Sequence, residues 1–167
     1  MEYPHAAAKL IAVCDKSGHT TEVLKKILKI CGRDNYHVMP ADAPFEPALQ
    51  PAVLLYYDVL TVGEACRFPL CVARYESAGL PQLQGLKPRT FSVENNRADF
   101  TACNIRRVES LIQFEIVGVG VIGRVKLPCK YEPSVEILLA AAAAAISCGV
   151  PFAEVLEALN HFEAQEK

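Results

Sequence analysis

The sequence predicts an α/β protein: a mostly parallel sheet with flanking helices, extended by an antiparallel hairpin. Three observations carry this. Apolar runs at 9–14, 52–57, 69–73 and 89–93 have the length and content of buried strands. The first of them leads through a polar loop straight into a helical pattern. Beyond residue 110 the pattern changes to alternation, broken by turn glycines, which marks a hairpin.

Residues 9–14 (KLIAVC) form the first strand, and residues 15–20 the polar loop after it. Over 20–31, Leu24, Ile27, Leu28 and Cys31 share one helix face while Glu22, Lys25, Lys26 and Lys29 lie off it. Gly32 stops that helix. Four prolines, Pro40, Pro44, Pro47 and Pro51, make 39–51 a loop. Three further strands follow, with a loop and a short helix between Gly79 and Lys87. Ile112, Phe114 and Ile116 then alternate with polar residues, Gly118 and Gly120 turn the chain, and 121–127 returns. The Ala-rich stretch 133–148 reads as a helix, with Pro133 in its first turn and Gly149 past its end. It is apolar all round, so it is buried on more than one side. In the last helix, 151–165, Phe152, Val155, Leu156, Leu159 and Phe162 recur at helical spacing. Parallel pairing with crossover helices is expected early and antiparallel pairing late.

Composition excludes several classes. At 167 residues, with 51% hydrophobic and 22% charged content, the chain suits one domain and argues against disorder. A net charge of −2 gives no reason for a nucleic-acid or anionic-membrane partner. Residues 1–8 carry no secretory pattern, and the apolar run 137–150 falls short of the ~20 residues of a membrane span. The seven cysteines show no C-x-x-C and no zinc spacing, so reduced thiols and a cytoplasmic setting are expected. Cys66 and Cys71 stand near each other in sequence, but a redox pair is not expected of that spacing in the cytosol. Tyr56, Tyr57 and Tyr75 read as packing, and His5, His37 and His161 have no partners at ligand spacing.

The first loop is P-loop-like. A P-loop binds phosphate because backbone N–H groups after a strand converge on its oxygens. Glycines let the backbone approach, a lysine reaches the outer phosphates, and a Ser or Thr holds magnesium. Here the loop reads Cys14-Asp15-Lys16-Ser17-Gly18-His19-Thr20-Thr21. Gly18, Thr20 and Thr21 are in place. His19 stands where the lysine belongs, and Asp15 where the first glycine belongs. A neutral imidazole brings no charge, and Asp15 would repel a polyphosphate. Lys16, Ser17, Gly18, His19, Thr20 and Thr21 are the candidate cofactor-binding residues, with Lys16 assisting. The alternative is a plain polar turn with Thr20 as helix N-cap.

The unit KLIAVCDKSGHTTEVLKKILKICG resembles the central domain of the Mur ligases, ATP-dependent amide-bond-forming enzymes of peptidoglycan synthesis, and of their folylpolyglutamate-synthetase relatives. In that family the loop reads G-T-N-G-K-T-T. A second stretch, RTFSVENNRADFTACNIRR, resembles the family's segment before its hairpin, through Thr90, Phe91, Ala98, Asp99, Phe100, Ala102, Asn104, Ile105 and Arg106. The run 123–128, the Ala-rich helix, Gly149-Val150-Pro151 and the helix through Ala158-Leu159 follow in the family's order. The resemblance covers most of 8–163 and implies a single Mur ligase central-domain-like domain over 1–167, with a reduced middle at about 39–88. Neither the N-terminal UDP-sugar domain nor the C-terminal ligase domain is expected.

The departures bear on activity. The family's magnesium-binding Glu, the His after it and its lysine have no counterparts: between Val53 and Leu86 the acids are Asp58, Glu64 and Glu76, with no His or Lys. The family's His–Asn pair before the long helix is replaced at Tyr131-Glu132-Pro133-Ser134. No residue is assigned a catalytic or metal-binding role. The expected function is a non-catalytic binding or interaction module with a degenerate P-loop. The alternatives are a residual nucleotide or phosphate binder and a subunit of a split acid–amino-acid ligase. Were the chain active, it would be an ATP-dependent ligase of the Mur type. The residues fix no cofactor; the resemblance names ATP with magnesium. The expected partners are a second copy, through edges that a shortened domain leaves open, or a full-length ligase.

Overall fold

Strand β1 (Lys9–Cys14) opens the fold, and its residues 10–14 are buried. The computed structural model describes residues 8–44, 48–58, 67–128 and 134–162. Helix α1 (His19–Ile30) follows, its buried stripe running through Val23, Leu24, Ile27 and Leu28. Gly32, at φ 70°, ends it: its N–H donates to the Lys29 carbonyl, and the Arg33 N–H to the Leu28 carbonyl. That double closure needs the left-handed backbone glycine adopts freely.

The other strands are β2 (Tyr36–Pro40), β3 (Gln50–Tyr56), β4 (Leu70–Arg74), β5 (Arg89–Ser92), β6 (Phe100–Val108), β7 (Leu111–Gly118) and β8 (Val121–Pro128). A single 3-10 turn (Tyr75–Ser77) and the short helix α2 (Pro81–Gln84) link β4 to β5. Among the described residues the strands form one eight-stranded sheet, ordered β2-β1-β3-β4-β5-β6-β7-β8. Pairing is parallel from β2 to β6 and antiparallel from β6 to β8. The predicted α/β class, mostly parallel with an antiparallel hairpin, is what the structure has.

Helices α1, α3 (Val135–Ser147) and α4 (Phe152–Asn160) cover one face. The opposite face of β1, β3 and β4 is covered more thinly, by Leu83 of α2 with Phe68, Leu49 and Ala41 from loops. Helix α3 touches α1, α4 and the strands β3 to β6. Its six alanines at 140–145 are all fully buried. Ser134 caps it, its Oγ accepting from the Ile137 N–H at 3.3 Å. Gly149, at φ 104°, closes it in the manner of Gly32.

Two strands depart from the sequence reading. Residues 39–40 were expected in a loop, but they end β2, which pairs with β1. Only Val38 of that strand is buried, so no apolar run announces it. Strand β6 was not expected at all: its outer half, 104–108, is exposed and mixes Asn104, Arg106 and Arg107 with Ile105 and Val108, so no buried pattern marks it. It turns the predicted hairpin into a three-stranded meander. Helix α4 ends at Asn160 rather than 165; residues 163–167 lie outside the described part. So do Pro133 at the expected start of α3, the reading made on residues 1–7, and Glu64. Among the described residues no helix is long and apolar enough to cross a membrane.

Both edges of the sheet are blunted. Strand β2 ends in Pro40, which has no N–H to offer. On the outer edge of β8, the Asn160 side chain donates to the Arg124 carbonyl at 3.0 Å and accepts from the Lys126 N–H at 2.8 Å. Helix α4 sits so close to β8 that a Cβ at Gly123 would overlap the Leu156 side chain. Gly123→Ala should therefore cost about 1–3 kcal/mol in urea denaturation. In a Leu156→Ala background the same change should cost less than about 0.5 kcal/mol, because the clash is gone.

Candidate functional site

The chain passes from β1 to β2 on one side and reaches β3 on the other. The C-terminal ends of β1 and β3 therefore form a switch point, where open α/β sheets bind ligands. The loop after β1 lies there, bound to the end of β3. The N–H groups of Tyr57 and Asp58 donate to the Cys14 carbonyl at 3.0 and 3.2 Å, and the Lys16 N–H donates to Asp58 Oδ1 at 2.9 Å.

Asp15 fills the turn. Its Oδ1 accepts from the Ser17 N–H and the Ser17 hydroxyl, both at 3.1 Å, and its Oδ2 accepts from the Thr20 N–H at 2.7 Å. Ser17 Oγ in turn accepts from the His19 N–H at 3.2 Å. The N–H groups of Lys16, Ser17, His19 and Thr20 thus all end on side-chain oxygens of the chain itself. Burial would raise the Asp15 carboxyl, but the N–H and hydroxyl groups of Thr20 and Ser17 outweigh it and hold it below its ordinary value.

The six candidate residues are brought together, in differing states. Lys16 and His19 are exposed. Gly18, at φ 79°, is the residue before the first turn of α1, a conformation that favours glycine. Thr20 is not the N-cap: it lies inside the helix, fully buried, and Thr21 is buried beside it. The Thr20 hydroxyl lies close enough to Asp15 to favour its charge, but makes no hydrogen bond of normal geometry. The capping group is the Asp15 carboxylate, reaching forward from before the helix.

Sequence reasoning missed a second polar cluster on the same edge. The Tyr57 hydroxyl donates to Glu136 Oε1 at 2.9 Å, and Arg74 Nη2 donates to the same oxygen at 2.8 Å. The Arg74 guanidinium lies over the Tyr57 ring at 4.7 Å, and that ring stacks parallel to Phe91. Burial, then Glu136, pushes the Tyr57 hydroxyl up. Nearby, Glu76 accepts from the Ser92 hydroxyl at 2.7 Å, and Ser92 Oγ accepts from the N–H groups of Glu94 and Asn95. Glu136 is thus tied to Arg74 and Tyr57, and Glu76 to Ser92. Among the described residues no three His, Cys, Asp or Glu side chains are placed to hold a metal. Thr90 and Asp99 have a structural role: Asp99 Oδ2 accepts from the Thr90 N–H at 2.8 Å and from its hydroxyl at 3.1 Å, pinning the start of β5 to the turn before β6. Cys14, Cys31, Cys71, Cys103 and Cys148 form no disulfide. Cys66 and Cys129 lie outside the described residues.

No protein-family model and no curated protein sequence matches the chain. Solved structures do. A crystal structure of MurF from Acinetobacter baumannii superposes on 93% of this chain with a TM-score of 0.68 at 18% identity. The fold is that of a Mur ligase. UDP-N-acetylmuramate-alanine ligase MurC from Thermotoga maritima gives a TM-score of 0.60 at 17% identity over 92% of this chain and 44% of its own. The UDP-N-acetylmuramate:L-alanyl-gamma-D-glutamyl-meso-diaminopimelate ligase from Neisseria meningitides gives 0.62 at 18% identity, over 95% of this chain and 66% of its own. The present chain spans 46% of the MurF chain. In this Mur ligase fold the turn after β1 is thus closed by an internal carboxylate.

Asp15→Ala should cost about 1 kcal/mol at neutral pH, as loss of a helix cap does. An aspartate held below its ordinary value stabilises the fold above the unfolded value of about 3.9, and loses that contribution as pH falls through the folded value. The stability gap between wild type and Asp15→Ala should therefore be constant near neutrality and shrink below about pH 4, as read by urea titrations.

Proposed function

We propose that this chain is a Mur-ligase-like domain with a degenerate P-loop, a binding or interaction module and not a ligase in its own right. The single observation behind this reading is the Asp15 carboxylate inside the turn after β1. A polyphosphate would need the N–H groups of Ser17 and Thr20, which Asp15 already holds, and would face that negative charge. His19 and Lys16 do not offset it: both are exposed, and the Lys16 N–H is taken by Asp58. The residues present therefore do not fit ATP with magnesium. An interaction role draws support from apolar side chains left in water on the β7–β8 turn, where Val119 is 83% and Ile122 64% exposed. The proposed partner is a full-length ligase of the same fold or a second copy of this chain, in the cytoplasm.

Thermal denaturation with Mg-ATP tests the reading, since even weak binding to the native state raises the melting temperature. Millimolar Mg-ATP should leave the wild-type melting temperature unchanged. Asp15→Gly combined with His19→Lys frees two N–H groups and restores the cation, so its melting temperature should rise with Mg-ATP. A clear rise for the wild type would overturn the proposal. Light scattering at high concentration, alone and with a Mur ligase, reads the partner.

A further inference from the structure

The meander β6–β8 packs against the helices with one face. Residues paired directly across strands share a face, so Ala102, Ile116 and Gly123 lie on the α4 side, as do Phe114 and Val125. The other face changes character along its length. Nearest the β7–β8 turn, Val117 stands beside Ile122; next come Glu115 and Arg124; then Arg106, Gln113 and Lys126 form one row. The apolar end continues into Val119 on the turn, and Val119 and Ile122 are the most exposed large apolar side chains among the described residues. The other end is cationic. Arg106 and Lys126 have no acid partner among the described residues. Glu115 meets Arg124 only at 3.7 Å, and the Arg124 side chain is 73% exposed. Three cations against one carboxylate make this face positive, opposite in sign to the whole chain at −2.

The backbone is irregular where it builds that row. Cys103 pairs with Glu115 and Arg106 with Gln113, so Asn104 and Ile105 together oppose Phe114. A regular strand would set Ile105 and Arg107 on the face of Cys103; the bulge sets Arg106 there instead. Asn104 takes the left-handed conformation at φ 54°, which asparagine tolerates better than most residues. The result is a shallow hollow of about 110 Å³ lined by Asn104, Arg106, Gln113, Glu115 and Arg124.

Charge selects the occupant. A positive face calls for carboxylates or phosphates, and among the described residues this one holds no aromatic ring on which a base could stack. A second copy fits poorly. Two copies joined at their apolar ends cover only a few aliphatic side chains each, well short of the roughly 800 Å² per partner of a standard interface. Overlapped further, they set cation against cation.

We propose that this face of the meander binds a different protein through a segment in which aliphatic side chains are followed by Asp or Glu. The aliphatic part covers Val119 and Ile122, and the acids meet Arg124, Arg106 and Lys126. The proposal rests on the interaction reading above and narrows its partner to a chain other than this one. Arg124 and Lys126 lie two and four residues along β8 from Ile122, about 7 and 13 Å, within reach of a short extended peptide.

The probe is a capped heptapeptide of three leucines followed by four glutamates. One control replaces its glutamates by lysines, another its leucines by serines. Amide spectra of the isotope-labelled full chain should show saturable shifts at Glu115, Ile122 and Arg124 with the probe and none there with the lysine peptide. The serine peptide should bind about fivefold more weakly. Raising NaCl from about 0.1 to about 1 M shortens the screening length from about 10 to about 3 Å and should weaken the probe about tenfold. Arg106→Glu with Lys126→Glu should abolish binding. Lys25→Glu with Lys29→Glu, on the exposed side of α1, should leave it unchanged, and both variants should keep the wild-type melting temperature, since all four residues are exposed. Absence of saturable shifts on the meander would overturn the proposal, as would equal binding of the glutamate and lysine peptides or loss of binding in the α1 variant. So would a wild-type dimer in light scattering that Ile122→Ser dissolves, because a second copy would then occupy the face. None of these outcomes involves the Asp15 turn, whereas a wild-type melting temperature raised by Mg-ATP would overturn the functional reading and leave these shifts in place.

Discussion

The structure depends on how closely α3 can approach its neighbours. Six successive alanines leave almost no side chain between its backbone and α1, α4 and the strands β3 to β6. Alanine carries the least helix cost and no rotamer entropy to lose, so the sequence gains a stable helix and a close contact from the same residues. Larger side chains would separate the layers, and interiors packed at this density do not yield without strain. Because α3 is held from all sides, its two ends are fixed in space. Glu136 in its first turn reaches Tyr57 and Arg74 at the edge of the sheet that carries the Asp15 turn. Ser147 and Cys148 at its other end border a groove at the opposite edge of the sheet. One rigid element thus positions both polar regions of the molecule.

The turn after β1 illustrates a competition between an internal anion and an external one. A helix that starts directly after a strand leaves N–H groups that need acceptors. In a phosphate-binding turn the ligand supplies them; here Asp15 does, at all times and without the entropic cost of binding a free molecule. A charged ligand would have to displace three hydrogen bonds to a carboxylate and then sit beside that carboxylate. Hydrogen bonds to charged groups are each worth about 1.5–3 kcal/mol, so the displacement outweighs what a single exposed lysine returns. The same carboxylate makes the turn stable when empty, which a ligand-dependent turn is not.

The parts of the fold legible in the sequence were those whose side chains repeat one pattern throughout. Strands β1 and β3 are apolar on both faces, β7 alternates strictly, and α1 and α4 keep a 3.6-residue stripe. Strand β2 escaped because an edge strand buries only Val38, and β6 because its outer half faces water although both its neighbours bond to it. The Thr20 N-cap failed for a different reason. The helix starts one residue before Thr20, at His19 with Gly18 at the boundary, and the first-turn N–H of Thr20 is held by an acceptor five residues earlier, Asp15. The Tyr57–Arg74–Glu136 cluster joins segments 62 and 79 residues apart, and no local pattern encodes such a meeting.

How this fold meets a partner follows from what its edges leave open. A shortened domain was expected to expose strand edges that invite pairing. Asn160 instead occupies the β8 edge with an amide that mimics a neighbouring backbone, and Pro40 removes a donor at the end of β2. What remains apolar in water is side chain rather than backbone: Val119, Val121 and Ile122 around the β7–β8 turn, and Ile105 and Val108 at the far end of β6. Strand addition would require α4 to give up Asn160, and α4 is held by Leu156 against Gly123 and by the Arg33–Glu154 ion pair to the end of α1. Covering the exposed valines and isoleucines requires nothing to move. A protein that binds this chain therefore gains most through its side chains, on the turn, and leaves the sheet at eight strands.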